Sequence, residues 1–177
     1  MKRLGLIAAL AMMLVGFSAS AALATGDPVF NDAAAPTGTH VQTGTPSCSF
    51  AADGLTVVCS SYELAGVGNT DAEATLVTSY TATVDCQNKG GNIVEVKAQV
   101  TGVESSTGTI EAKNGRLLVP ELTSAPAPTA AQFEALAVCP NGNWTKITQT
   151  ATIALESSVY TLTFEGFTDA YITIIDP

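Results

Sequence analysis

The fold of this chain is decided by residues 72–100, which read AEATLVTSYTATVDCQNKGGNIVEVKAQV. From Ala74 to Cys86 every second residue is mostly apolar, and the residues between them are polar apart from Val77. This is the period of a strand with one buried face. After a break at 87–92 the alternation resumes from Val94 to Val100. The stretch therefore predicts a long hairpin with one buried face, which is the unit from which a sandwich is built.

A second hairpin is predicted upstream, around Asp53-Gly54, because this dipeptide is typical of two-residue type I′ turns. With the turn placed there, Cys48 lies opposite Cys59 and the apolar residues gather on one face. Two cysteines opposite each other in a ladder are close enough to bond. The turn and the hydrophobic pattern thus indicate the same register.

The cysteine count indicates disulfides. All four cysteines follow residue 45, and an even count in an oxidising compartment is typical of bridges. The hairpin register pairs Cys48 with Cys59, which by elimination pairs Cys86 with Cys139. A zinc site would need closer spacing or several histidines, and His40 is the only histidine. We therefore expect no metal and no cofactor.

The first 24 residues have the three parts of a secretory signal peptide: Lys2 and Arg3, an apolar run over 4–17, and small residues over 18–24. The apolar run is too short to span a bilayer comfortably, and no second hydrophobic segment follows it. We predict cleavage after Ala24, a leader or edge segment over 25–45, and one β-sandwich domain over 46–177. The expected location is extracellular, without membrane insertion.

The mature chain is acidic. The full sequence has a net charge of -9, and loss of Lys2 and Arg3 leaves 5 basic against 16 acidic residues, a net charge of -11. Such a surface repels phosphates, so nucleic acid and anionic membranes are excluded as expected partners. The remaining candidate partners are a protein, a glycan or a small molecule that is cationic or neutral.

Two further elements are predicted between the long hairpin and the last cysteine. A type I′ turn at Asn114-Gly115 should pair Ala112 with Leu117 and Ile110 with Val119. A capping box over 129–132 begins one short helix, which should deliver Cys139 to the sheet. The apolar residues of that helix are Phe133, Leu136 and Ala137.

The C-terminal third is predicted to contain the last three strands. Ser157-Ser158 is placed in a turn that pairs Leu155 with Tyr160, and an apolar strand over 170–174 should dock against the sheet. Together these elements predict an all-β fold, an immunoglobulin-like antiparallel Greek-key β-sandwich with one short helix. The Cys86–Cys139 spacing resembles an inter-sheet immunoglobulin bridge.

The candidate ligand contacts are aromatic. Trp144, the only tryptophan, lies in an asparagine-rich loop and is interpreted either as a sugar-stacking side chain or as a plug at one end of the sandwich. A carrier of an apolar small molecule would use a cleft lined by Trp144, Tyr62 or Phe167. No nucleophile and base pair is evident, so we expect a protein that is not an enzyme. The rival hypothesis is a hydrolase with loop carboxylates, drawn from Glu63, Asp71, Asp85 and Glu165.

Five segments carry a resemblance to known proteins: 59–70, 83–86, 113–117, 139–145 and 164–167. In these the chain resembles uncharacterised exported immunoglobulin-like proteins of actinobacteria, which imply no particular activity. In its acidic composition and paired disulfides it is also similar to the enediyne-binding apoproteins. That second resemblance implies the carrier role.

Overall fold

The structure is a computed structural model that describes residues 26–176. The predicted signal peptide lies outside the described residues, as do Thr25 and Pro177. Within this range the chain forms short 3₁₀ turns at Asp32–Ala34 and Thr150–Thr152, the helix α1 (Ala130–Leu136) and twelve strands. The strands are β1 (Val29–Phe30), β2 (His40–Thr43), β3 (Cys48–Phe50), β4 (Val57–Cys59), β5 (Tyr62–Ala65), β6 (Ala72–Gln87), β7 (Ile93–Ile110), β8 (Arg116–Val119), β9 (Leu122–Thr123), β10 (Thr145–Thr148), β11 (Ala154–Phe164) and β12 (Ile172–Asp176).

The strands form an antiparallel sandwich, which confirms the all-β prediction with one short helix. One layer is a six-stranded sheet in which β6 is central. On one side of β6, β11 pairs with its N-terminal part and β10 with its C-terminal part. β12 lies beyond β11, and β1 lies beyond β12. β7 pairs with β6 on the other side. Two three-stranded sheets, β2-β5-β8 and β3-β4-β9, pack against this layer. The segment predicted as a leader or edge contributes β1 and β2, both at sheet edges.

The long hairpin is confirmed. β6 and β7 pair from Ala72 opposite Ile110 to Gln87 opposite Ile93, and the inward residues of β6 are buried at every second position. β7 continues past Val100, where the predicted alternation ends, because it takes up two bulges instead of ending. Each bulge adds one residue to β7, and each contains a glycine with positive φ, Gly102 at 71° and Gly108 at 63°.

The Cys48–Cys59 hairpin has the predicted register but a different turn. Cys48 lies opposite Cys59 and is bonded to it. The prediction of a two-residue turn at Asp53-Gly54 is wrong. Of these two residues only Gly54 has positive φ, and the N–H of Ala51 donates to the Thr56 carbonyl oxygen at 2.8 Å, which closes a four-residue loop. The longer loop frees Leu55 to pack on the cluster around Tyr80, whose hydroxyl donates to the Leu55 carbonyl oxygen at 3.0 Å.

The turn at Asn114-Gly115 is confirmed, and the pairing predicted beyond it is wrong. Both residues have positive φ, 54° and 75°, as a type I′ turn requires, and Lys113 pairs with Arg116. No ladder then forms between 110–112 and 117–119 within the described residues. Instead Ile110 pairs with Ala72, and β8 pairs with β5. A tight turn sets the chain direction only locally, and β8 buries Leu117 and Val119 in another layer.

The turn predicted at Ser157-Ser158 is also wrong. β11 runs unbroken from Ala154 to Phe164. Leu155 pairs with Tyr80 of β6, and not with Tyr160 as predicted. Neither serine has the positive φ of a tight hairpin turn. A bulge between Leu155 and Ser157 absorbs the irregularity, and Ser158 is buried opposite Thr78. The docked C-terminal strand is confirmed as β12, which pairs with β11 and β1.

The helix begins at the predicted capping box, where the backbone N–H of Thr129 donates to Gln132 Oε1 at 2.8 Å. Phe133 and Ala137 are buried against the sheet, whereas Leu136 is exposed. Cys139 follows the helix and bonds to Cys86 of β6, confirming that pair. Because Cys139 lies outside any strand, the bridge does not join two sheets as in an immunoglobulin domain.

Candidate functional site

The three candidate aromatic residues lie in different places. Trp144 precedes β10, whose first residue Thr145 pairs with Gln87, so Trp144 lies at the C-terminal end of β6. Phe167 lies beside Ala72, at the N-terminal end of that strand. The two ends of β6, Ala72 and Gln87, are fifteen positions apart, which is about 50 Å at the usual rise per residue. These two side chains therefore do not line one cleft.

Trp144 is half-buried and belongs to neither buried cluster among the described residues. Its backbone N–H donates to the Asn141 carbonyl oxygen at 3.4 Å, and Asn141 Oδ1 accepts from the Asn143 N–H at 3.1 Å. These contacts close the loop on itself. Trp144 is thus a half-buried residue of this loop, and both interpretations of it stay predictions.

Tyr62 is 3% exposed, and its hydroxyl lies 2.9 Å from the hydroxyl of Tyr160. Burial, with a further contribution from Tyr160, raises the pKa of Tyr62 well above its usual range. Burial also raises the pKa of Tyr160, to about 12. Both hydroxyls are therefore neutral at physiological pH and paired with each other. Tyr62 acts as a core residue, although one edge borders a small surface cavity of about 140 Å³.

Phe167 lines a groove of about 450 Å³ at the N-terminal end of β6. The groove is formed by the start of β6, the end of β11, the turn that follows β11, and Thr109 of β7. Its lining residues are Asp71, Ala72, Glu73, Thr109, Thr163, Phe164, Glu165, Gly166 and Phe167. Three of them carry carboxylates and two are aromatic. We call this surface the acidic groove.

Backbone contacts hold the acidic groove together. The N–H of Glu165 donates to the Asp71 carbonyl oxygen at 2.8 Å, which joins the end of β11 to the residue before β6. The N–H of Phe167 donates to the Phe164 carbonyl oxygen at 3.1 Å, closing a turn. The rings of Phe164 and Phe167 then meet edge to face with their centroids 6.4 Å apart. The buried ring of Phe164 thus supports the half-buried ring of Phe167.

The three carboxylates of the acidic groove differ in their partners. Asp71 Oδ1 accepts from the backbone N–H of Ala112 at 2.8 Å, and Glu73 accepts from the hydroxyl of Ser106. Glu165 is exposed, and its carboxylate makes no hydrogen bond or ion pair within residues 26–176. A groove of this composition favours a cation or a neutral group with donor hydrogens and repels an anion. Glu165 is the carboxylate best placed to bind such a group.

The four carboxylates of the hydrolase hypothesis are only partly brought together. Asp71 and Glu165 share the acidic groove. Glu63 instead forms an ion pair with Arg116 at 2.6 Å, and Asp85 accepts from Gln149 Nε2 at 2.7 Å near the other end of the long hairpin. His40 is exposed, with Nδ1 2.9 Å from the Gly38 carbonyl oxygen. No group of three or more potential metal ligands occurs among residues 26–176.

Sequence reasoning missed that Glu73, Thr109 and Phe164 share a surface with Phe167. The signal was the apolar alternation of Tyr160, Leu162 and Phe164, which indicates a strand that runs to Phe164. Because β11 pairs antiparallel with β6, its last residue Phe164 lies opposite Ala72 at the start of β6. The groove follows from that pairing.

No helix in the described range is long and apolar enough to cross a membrane. Comparison with protein-family models, with curated proteins and with solved structures found no match to this chain. The two disulfides indicate that the chain folds in an oxidising, non-cytoplasmic environment.

Proposed function

We propose that this chain is an exported, non-enzymatic binding module of immunoglobulin-like type that acts at or outside the cell surface. The observation that carries the proposal is the acidic groove, which combines the half-buried ring of Phe167 with the free carboxylate of Glu165. Binding residues are often placed on loops at the end of a rigid scaffold, as Phe167 and Glu165 are here. The partner would present a cationic or neutral group to Glu165 and an apolar surface to Phe167.

The absence of a paired catalytic base favours binding over hydrolysis. Asp71 is occupied by a backbone donor and Glu73 by a hydroxyl, which leaves Glu165 as the free carboxylate of the groove. A glycosidase would use two available carboxylates that flank a substrate. The carrier role is the second candidate, because about 450 Å³ next to Phe167 is enough for a small molecule.

The test compares an oligolysine peptide, a neutral oligosaccharide and an oligoglutamate peptide as probes in calorimetric titrations. We expect the oligolysine peptide to bind and the oligoglutamate peptide not to bind. Glu165→Gln and Phe167→Ala should each weaken binding. Glu111→Gln, which removes an exposed acid outside the groove, should leave it unchanged.

Equal binding of oligolysine by Glu165→Gln and Glu111→Gln variants would show that net charge and not the groove is responsible. Native mass spectrometry of the purified protein separates the carrier role, because a bound mass that organic extraction removes would support the carrier. Turnover of a screened substrate that is lost in Asp71→Asn would favour the hydrolase instead.

A further inference from the structure

The outer edge of β7 is unpaired in the part of the chain that the structure describes, since β7 pairs only with β6. Its second half is irregular because of the bulges at Gly102 and Gly108. Its first half, residues 93–100, is a regular strand with no register shift. Natural proteins protect free edges with bulges, short strands or charges, because a free edge pairs readily with another strand. The straight half of β7 has no bulge to protect it.

The hydrogen-bonding direction of this edge follows from the hairpin end. Asn88 donates to the Asn92 carbonyl oxygen at 3.0 Å, which makes 88 and 92 a hydrogen-bonded pair. In an antiparallel ladder such pairs alternate, so the even residues of β7 bond to β6. The N–H and C=O groups of residues 93, 95, 97 and 99 therefore point outward. They are available to a second strand.

Neither charged side chain on this edge, Glu95 or Lys97, forms an ion pair within the described residues. Glu95 lies directly opposite another acid, Asp85, and both share the amide of Gln149, at 3.2 Å and 2.7 Å from Nε2. Lys97 is exposed, and its side chain makes no ion pair or hydrogen bond within residues 26–176. Two charges of opposite sign thus stand two residues apart, on the same face of the same free edge.

We propose that residues 93–99 pair antiparallel with the same residues of a second copy of this chain, related by a two-fold axis at Val96. This register places Glu95 of each copy opposite Lys97 of the other. A shift of the axis to residue 97 would instead oppose two lysines, and a shift to 95 would oppose two glutamates. Opposite charges across a ladder stabilise it and like charges destabilise it, so the charge pattern selects one register. The interface is isologous, as a two-fold dimer requires.

Apolar side chains beside the edge support the same interface. The flank of α1 that carries Ala130 and Glu134 is held against β10, where Thr148 contacts both residues at 2.9 and 3.0 Å. β10 and β7 lie on opposite sides of β6. Leu136 lies on the opposite flank by helical geometry, so it faces the side of β7, and it is 54% exposed. Val94, on the helix-covered face of β7, is 42% exposed.

The test is sedimentation velocity of the processed, disulfide-bonded protein over a range of concentrations. We expect a concentration-dependent dimer. Glu95→Lys and Lys97→Glu each create two like-charge contacts across the axis and should each raise the dissociation constant about tenfold. The matched controls Glu111→Lys and Lys113→Glu make the same changes in net charge at an exposed remote pair and should have little effect.

Two further experiments report the register itself. The double variant Glu95→Lys/Lys97→Glu should dimerise like the unmodified chain, because the charges are exchanged but still complementary. The two single variants, mixed in equal amounts, should form a heterodimer in which every lysine faces a glutamate. Leu136→Asp should weaken the dimer, whereas Leu118→Asp, at a residue 68% exposed in β8, should not.

A protein that is monomeric at every concentration overturns the proposal. A dimer that neither single variant weakens, or that the double variant fails to restore, overturns the register. Circular dichroism and thermal unfolding of each variant confirm that the fold is intact, which is expected because 95, 97 and 136 are exposed.

Discussion

The two halves of β6 are covered in different ways. From Ala72 to Ser79 the inward face of β6 packs under the two three-stranded sheets, in a cluster that includes Leu64, Leu76, Tyr160 and Ile172. From Tyr80 to Gln87 the cover is the seven-residue helix α1 with the hairpin loop near Leu55. We call these the sheet-covered half and the helix-covered half. They share one strand but not one means of stabilisation.

The difference shows what a disulfide contributes. The helix-covered half has a much smaller buried cluster, in which α1 provides Phe133 and Ala137. A helix of this length is not stable in isolation, so it depends on tertiary contacts. The Cys86–Cys139 bridge joins the strand to the segment directly after α1. The Cys48–Cys59 bridge instead lies within one covering hairpin and fastens nothing to β6.

Removing the Cys86–Cys139 bridge should produce the largest difference in stability between the helix-covered half and the sheet-covered half. The bridge spans 53 residues, and the loop-entropy estimate for that length is about 4 kcal/mol. The double variant Cys86→Ala/Cys139→Ala should lose that stability in urea unfolding. Hydrogen exchange should show lost protection in α1 and β10 while β11 and β12 keep theirs.

The matched control is Cys48→Ala/Cys59→Ala, which opens an 11-residue separation and should cost about 3 kcal/mol. In this variant we expect α1 to keep its protection. If the two double variants deprotect α1 equally, the bridge from β6 is not what holds the helix-covered half together.

The second prediction concerns the buried ring of α1. Phe133 is fully buried, and its replacement by alanine leaves a cavity, so Phe133→Ala should cost about 3 kcal/mol in unfolding free energy. Leu136→Ala, three residues along the same helix, should change stability by less than about 0.5 kcal/mol because Leu136 is largely exposed. A similar cost for both variants, measured by urea unfolding, would contradict the assignment of faces on α1.

The sequence predicted well whatever is set by neighbours along the chain. The β6–β7 hairpin, the register of Cys48 against Cys59, the capping box at Thr129 and the type I′ turn at Asn114 all depend on local periodicity or local turn chemistry. Both disulfide pairs followed from one of these registers. Such features need only the preferences of a few consecutive residues.

Pairing between distant strands was predicted poorly. The alternation of β11 indicates a strand but does not identify its neighbour, so a turn at Ser157-Ser158 accounted for the pattern as well as pairing with β6 did. The choice is made by the burial of Ser158 and Tyr160 against β6 and the opposing layer, which involves residues far away in sequence. The acidic groove depends on that same pairing, and for this reason it was not anticipated.

The last prediction tests the sheet-covered half, where the buried hydroxyls of Tyr62 and Tyr160 lie 2.9 Å apart. Tyr62→Phe leaves the Tyr160 hydroxyl buried without its partner and should cost about 1 to 2 kcal/mol at pH 7. Tyr62→Phe/Tyr160→Phe removes both polar groups and should cost less than the single change. Urea unfolding of the two variants measures this difference.

The same pair makes the sheet-covered half sensitive to alkali. The folded pKa of each tyrosine is raised above the usual value of 10.0, for Tyr160 to about 12, mainly by burial. As pH rises, the unfolded chain therefore loses these protons before the folded chain does. The stability that the two neutral hydroxyls contribute to the folded chain is complete below pH 10 and is lost as pH rises above it. The slope should approach about 1.4 kcal/mol per pH unit for each tyrosine. Urea unfolding between pH 8 and pH 11 should show this loss in the unmodified chain and much less of it in the double variant. An equal alkaline loss in both would place the responsible groups outside this pair.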